Sequence, residues 1–185
     1  MITDMTTSQV LSQQDIVAAI VSSTQDVFST MLGVEITPGD ILTAKADVEA
    51  PASGLVSLIG LAGSWSGTGS LACTGVFACT MAGQLLACTF ESVNEEVLDA
   101  VGEITNMIIG NVKTVLEEKV GEMGLSTPTV IFGRNFQTRS ARVHDWVVVP
   151  FDSGGERMSV QLCLAPNPEK TTARAGFQMP HLITV

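Results

Sequence analysis

A chain of 185 residues, 45% hydrophobic and only 15% charged, has the length of one domain and the composition of a buried core. Disorder requires the reverse. Its 19 acidic residues against 9 basic give a formal charge of −10, which excludes the basic surface that nonspecific nucleic-acid or anionic-membrane binding depends on.

The opening MITDMTTSQV carries acid where a signal peptide needs base. The most apolar stretch, Gly54 to Gly63, is too short to cross a bilayer as a helix. A cytoplasmic protein without membrane insertion is expected. Residues 1–12 are small and polar and predict a flexible start. From Asp15, Val17, Val21, Thr24, Phe28 and Met31 recur at helical spacing, and Gly33 ends the helix. Pro38 and Gly39 mark a turn, and Ile41 to Ala50 reads as a strand bounded by Pro51. Two further strands, Gly54–Ala62 and Ser66–Cys73, are joined by GSWSG. That Gly-rich run is a β-turn rather than a phosphate loop, because no GK[ST] follows.

Val76 to Phe90 predicts a second helix, interrupted by Gly83. Ser92 or Asn94 then caps a third, Glu95 to Glu122. Strands follow at Thr127–Phe136, Asp145–Phe151 and Arg157–Ala165, with SGGE as a hairpin turn. The class is α/β (α+β): a mixed or antiparallel sheet with three helices in a domain of residues 13–165, and a C-terminal extension of 166–185.

The cysteines, Cys73, Cys79, Cys88 and Cys163, form no CxxC, and His144 and His181 stand far from the first three. They read as small buried hydrophobes, and no metal site is expected. Arg134, Arg139, Arg142 and His144 read as a solvated face, and Trp65 and Trp146 as packing residues.

The third helix carries the chemistry. At 100° per residue, Val97, Val101, Ile104, Ile108, Val112 and Val115 fall within about 60° of Val101 and form a buried stripe. Asp99, Glu103, Asn106 and Gly110 fall on the opposite side, within about 40° of its centre. Any exposed Glu is explained by solvation alone. Asn is a poorer helix former, and Gly110 costs about 1 kcal/mol against Ala in a helix interior. Close approach by a partner backbone accounts for both, with Met107 and Ile109 as apolar flanks.

The segment LDAVGEITNMIIGNVK resembles the signature of the CheC/CheX/FliY phosphatases of bacterial chemotaxis, in which Asp or Ser is followed by Glu and then Asn. Pro128 takes the place of that family's later proline, and a single good copy of the motif points to the CheX branch. The resemblance implies a pseudo-symmetric fold and hydrolysis of the aspartyl phosphate on a CheY-like receiver domain. Glu103 would pair with the receiver's active-site lysine, Asn106 would orient the attacking water, and Asp99 would support them. The receiver would bring its own Mg²⁺, so no cofactor of this chain is implied. A homodimer is compatible with the resemblance. The rival expectation is a receiver-binding, flagellar-switch or signalling-array module without catalysis.

The opening helix aligns with the signature helix without gaps, residues 22–33 over 99–110. Ser22, Asp26, Ser29 and Gly33 match Asp99, Glu103, Asn106 and Gly110. Asp26 is a methylene shorter than Glu, and Ser29 lacks the amide reach of Asn, so this second site is expected to be degenerate.

Overall fold

The computed structural model describes residues 11–45, 47–48, 53–134, 138–139 and 145–167. Helix α1 (Gln13–Val27) starts at a capping box. Ser12 Oγ accepts the Asp15 N–H at 3.2 Å, and the Asp15 carboxylate accepts the Ser12 N–H at 3.1 Å. Most of the expected flexible start lies outside the described residues, whereas Leu11 packs against the core. The helix runs on as a π-helical turn, Phe28–Leu32, and stops at Gly33 with φ of 68°. Its buried face is Ile16, Ala19, Ile20, Ser23, Thr24, Val27 and Phe28. This face is rotated from the predicted stripe: Val17 and Val21 are half-buried, and the wider π turn brings Leu32 to the core while Met31 is 49% exposed.

The strand expected from Ile41 is broken into β2 (Leu42–Lys45) and β3 (Asp47–Val48), and part of it lies outside the described residues. Pro38, read with Gly39 as a turn, instead forms with Thr37 the short edge strand β1 (Thr37–Pro38), opposite Phe151. The hairpin β4 (Ser53–Gly63) and β5 (Trp65–Cys73) is as expected. Helix α2 (Gly75–Leu86), capped by Thr74, ends short of the predicted Phe90. The chain doubles back there, with the Cys88 N–H donating to the Gly83 carbonyl at 3.1 Å. Gly83 admits that return, since a Cβ would lie 2.7 Å from the Cys88 oxygen.

Helix α3 (Glu95–Val120) is capped by Asn94, whose Oδ1 accepts the Val97 N–H at 3.0 Å. Then come β6 (Met123–Leu125), absent from the sequence reading, β7 (Thr129–Arg134), β8 (Thr138–Arg139), β9 (Asp145–Ser153) and β10 (Glu156–Pro166). Gly154 and Gly155, both at positive φ, make the predicted turn between the last two. Of the basic cluster, Arg134 is exposed at the end of β7; the side chains of Arg139, Arg142 and His144 lie outside the described residues.

Eight strands form one sheet in the order β1-β9-β10-β5-β4-β6, with β2 also on β9 and β7 also on β4, all paired antiparallel. The order reads alike from either edge: β5 answers β10, β4 answers β9, and β6 and β7 answer β1 and β2. With α1 answering α3, the described residues form a pseudo-twofold repeat in which, among the helices and sheet strands described, only α2 has no counterpart. The helices pack on Leu55, Ile59, Leu71, Val149, Phe151 and Val160 of the sheet. On the other face Trp146 packs with Cys163, as the packing expectation for that tryptophan required.

Seven aliphatic side chains of α3 are buried: Val97, Val101, Ile104, Ile108, Ile109, Val112 and Leu116. At about 1.5–3 kcal/mol each they outweigh the cost of two interior glycines, about 1 kcal/mol apiece. Ile109 lies directly over Gly69 of β5, where a Cβ would meet three Ile109 side-chain carbons at 2.8–2.9 Å. Gly69→Ala should lower stability by about 1–3 kcal/mol in urea unfolding. Adding Ile109→Ala should cost less than the sum of the two single changes.

The two pseudo-equivalent helices are also tied by Lys119 Nζ and Asp15 Oδ1 at 2.6 Å. Hydrogen bonds from Lys119 and then Ser12 hold the Asp15 carboxyl at about 2, against an ordinary 3.8. A depressed folded-state pKa adds stability above the ordinary value and loses it as pH falls toward about 2. Unfolding midpoints should therefore drop between pH 4 and pH 2, and Asp15→Asn should flatten that part of the profile.

Candidate active site

The buried arc of α3 is wider than the stripe read from sequence. It is centred on Val101 but extends from Ala100 to Gly102 around about 200° of the helix, because α3 packs against α1, α2 and the sheet together. Opposite that arc runs a strip of Asp99, Glu103, Asn106, Gly110 and Lys113, continued at its ends by exposed Glu96 and Thr114. Asp99 and Glu103 are exposed, and Asn106 and Gly110 are half-buried. Among the described residues, the side chains of Asp99, Glu103 and Asn106 have no hydrogen-bond or ion-pair partner. Glu103 and Asn106 stand one turn apart with a rise of about 4.5 Å between them.

The wider arc overturns two expectations. Ile109 is not an apolar flank but fully buried, and Met107 is half-buried against the core. Val115 is 46% exposed, and Leu116 takes its place inside.

Neighbouring elements hold the strip in place. Gly102 lies against β7 and its approach: a Cβ there would sit 3.5 Å from Val130 Cγ2 and 3.6 Å from Pro128 Cγ. Pro128 therefore walls the helix one residue from Glu103. At the other end Lys113 Nζ meets Glu117 Oε2 at 2.7 Å, and Glu117 Oε1 accepts the Met123 N–H at 2.6 Å. These bonds, Lys113 first, hold the Glu117 carboxyl below its ordinary range. The sequence reading missed this anchor, although 113 and 117 continue the three-and-four spacing of 99, 103, 106 and 110.

The first-helix copy is built differently. Asp26 is exposed, but its backbone oxygen accepts Ser29 Oγ at 3.2 Å and Thr30 Oγ1 at 2.6 Å. Ser29 lies within the π turn, and Gly33 ends the helix where Gly110 continues one. Asp26 and Ser29 thus do not share an uninterrupted α-helical ridge.

The cysteine expectation holds for Cys73 and Cys163, which are buried, with burial pushing the Cys73 thiol up to about 12. It fails for Cys88, which is exposed, and in part for Cys79, which is half-buried. Among the described residues no three His, Cys, Asp or Glu side chains are grouped to hold a metal ion. No helix among them is long and apolar enough to cross a membrane.

A carboxylate and a carboxamide projecting from one rigid helix can meet a cation and align a water molecule in another molecule's site. Residues 55–152, which contain the whole strip, match the family of the chemotaxis phosphatase CheX. The CheY-P phosphatase CheX of Thermotoga maritima is 29% identical over 130 residues, covering 68% of this chain and 80% of that protein. The crystal structure of a CheC-like superfamily protein from Shewanella sp. PV-4 superposes with a TM-score of 0.73 at 28% identity, over 82% of this chain and 97% of the other. The chemotaxis protein CheX from Vibrio vulnificus gives 0.72 at 28% identity, over 82% and 99%. The chain belongs to the chemotaxis phosphatase CheX family.

At Gly110 a Cβ would meet only Leu125 Cδ1, at an ordinary 3.8 Å, so the fold itself leaves room for alanine. Gly110→Ala should raise the unfolding free energy measured in urea by up to about 1 kcal/mol.

Proposed function

We propose that this chain hydrolyses the aspartyl phosphate of a CheY-like receiver domain, with Glu103 and Asn106 as the working pair of a phosphatase unit spanning residues 13–165. The observation that carries the reading is the unpartnered pair on the open strip of α3, beside a glycine the fold does not need. The Thermotoga relative, named for its action on CheY-P, supports the substrate class.

An acyl phosphate is already reactive, and the receiver brings Mg²⁺ and a lysine to its own phosphorylation site. The remaining task is to place a water in line with the phosphorus. Glu103 pairs with that lysine and fixes the helix over the phosphoryl group. The Asn106 carboxamide enters beside it, donating and accepting hydrogen bonds to hold the water. Asp99, one turn before Glu103, adds negative charge on the side of the lysine. The pair requires no nucleophile, histidine base or metal of this chain. Such a reaction belongs in the cytoplasm, where receivers are phosphorylated.

Each tenfold of rate corresponds to about 1.4 kcal/mol. Asn106→Ala should lower kcat on a phosphorylated receiver about a hundredfold, roughly 2.7 kcal/mol, with little change in KM. Glu103→Ala should raise KM as well. Phosphate release with Mg²⁺ present measures both, and full activity of Asn106→Ala would end the assignment.

A further inference from the structure

At the amino-terminal end of α3 a groove of about 780 Å³ opens between α2, the loop that follows it and β7. Its walls include Val76, Cys79, Cys88, Phe90, Val93 and Phe132. Val76 is 66% and Phe132 48% exposed, among the most exposed large apolar side chains of the described residues. Phe132 belongs to both regions. Pro128, Val130 and Phe132 alternate along one face, the first two against Gly102 beside Glu103. The Phe132 ring lies over the start of α2, where a Cβ on Gly75 would be 3.3 Å from both Phe132 Cε2 and Val93 Cγ2. From Glu95, two residues beyond Val93 on the groove wall, to Glu103 is about 12 Å along the helix. A standard interface covers about 800 Å² per partner, a disc of about 16 Å radius. A protein seated on Glu103 and Asn106 therefore reaches the groove.

We propose that the groove is a second contact for the same receiver, taking a protruding apolar side chain next to a basic residue. The apolar walls receive the first, and Glu91 on the wall with Glu95 and Glu96 in the exposed first turn of α3 meets the second. The proposal rests on the phosphatase reading and divides the labour within it. The strip of Glu103 and Asn106 acts on the phosphoryl group, while the groove sets affinity and the choice of receiver. Buried aromatic and apolar anchors of this kind dominate interface energies.

Cys88 gives a direct probe, being exposed on the groove wall while Cys73 and Cys163 are buried and burial raises the Cys79 thiol. Alkylation of the full chain is followed with and without a saturating CheY-like receiver held by beryllofluoride and Mg²⁺, with Cys88→Ser identifying the label. The receiver should slow alkylation at least tenfold. The double substitution Val76→Ser, Phe132→Ser should raise KM at least fivefold and leave kcat at saturation within twofold. Unchanged alkylation in the bound complex, or the parent KM in the double variant, overturns the groove contact. Protection that instead grows with this chain's own concentration, without receiver, assigns the groove to self-association and also overturns it. Failure of the phosphatase reading shows separately, as full activity in Asn106→Ala.

Discussion

One side chain lying on a bare patch of strand fixes the rotation of the helix that everything else relies on. Ile109 rests over Gly69, and any Cβ on that strand residue would collide with it. With Ile109 seated and Val101 at the centre of the buried arc, α3 cannot roll without exposing one aliphatic edge or driving the other into β5. Asn106 and Gly110 lie about 60° and 100° around the helix from Ile109, so the same contact turns them outward. A roll of one residue's angle would bury Glu103 or turn Asn106 into the sheet. The strip is open because the opposite side is tightly filled.

The centre of that buried arc was legible from residues, and its width was not. Periodicity places Val101 at the middle of the apolar side, but it cannot say that α1, α2 and the sheet surround the helix closely enough to enclose Ile109 as well. Val115 shows the reverse: its angle is right, yet it is exposed while Leu116, the next residue, is covered, because the buried side is set by what packs there rather than by the ideal angle. The place of Glu103 and Asn106 on the side of α3 away from the core was legible from helical spacing, and the cost of Asn and Gly there is visible without coordinates. The strands of the two long hairpins were plain from apolar runs and paired glycines. The three residues of β6 are too few for a pattern. Pro38 reads as a turn until Phe151 is seen opposite it. The end of α2 is set by the chain's return to Gly83, a tertiary contact with no sequence period.

The pseudo-twofold arrangement distributes these duties unequally. Each half brings one helix and a central hairpin, and β5 and β10 meet at the axis with Ser70 opposite Gln161. Among the described residues, an unpartnered carboxylate and amide one α-helical turn apart are displayed by α3 of the second half. The unmatched α2 sits before α3, where it forms one wall of the groove with the loop that follows it. The asymmetry therefore lies on the side of the open strip of α3. On the other side the Asp15–Lys119 bridge makes α1 a brace for the carboxyl end of its counterpart.

The π turn at Phe28–Leu32 gives this inequality a direction. Side chains drift and revert by single replacements, but a widened helical turn changes the frame on which they are displayed. A Glu and an Asn placed on α1 would stand on an interrupted scaffold, with Leu32 already committed to the interior by the extra width. On α1 the letters alone would not make a ridge like that of α3, because the π turn interrupts the geometry that would display them.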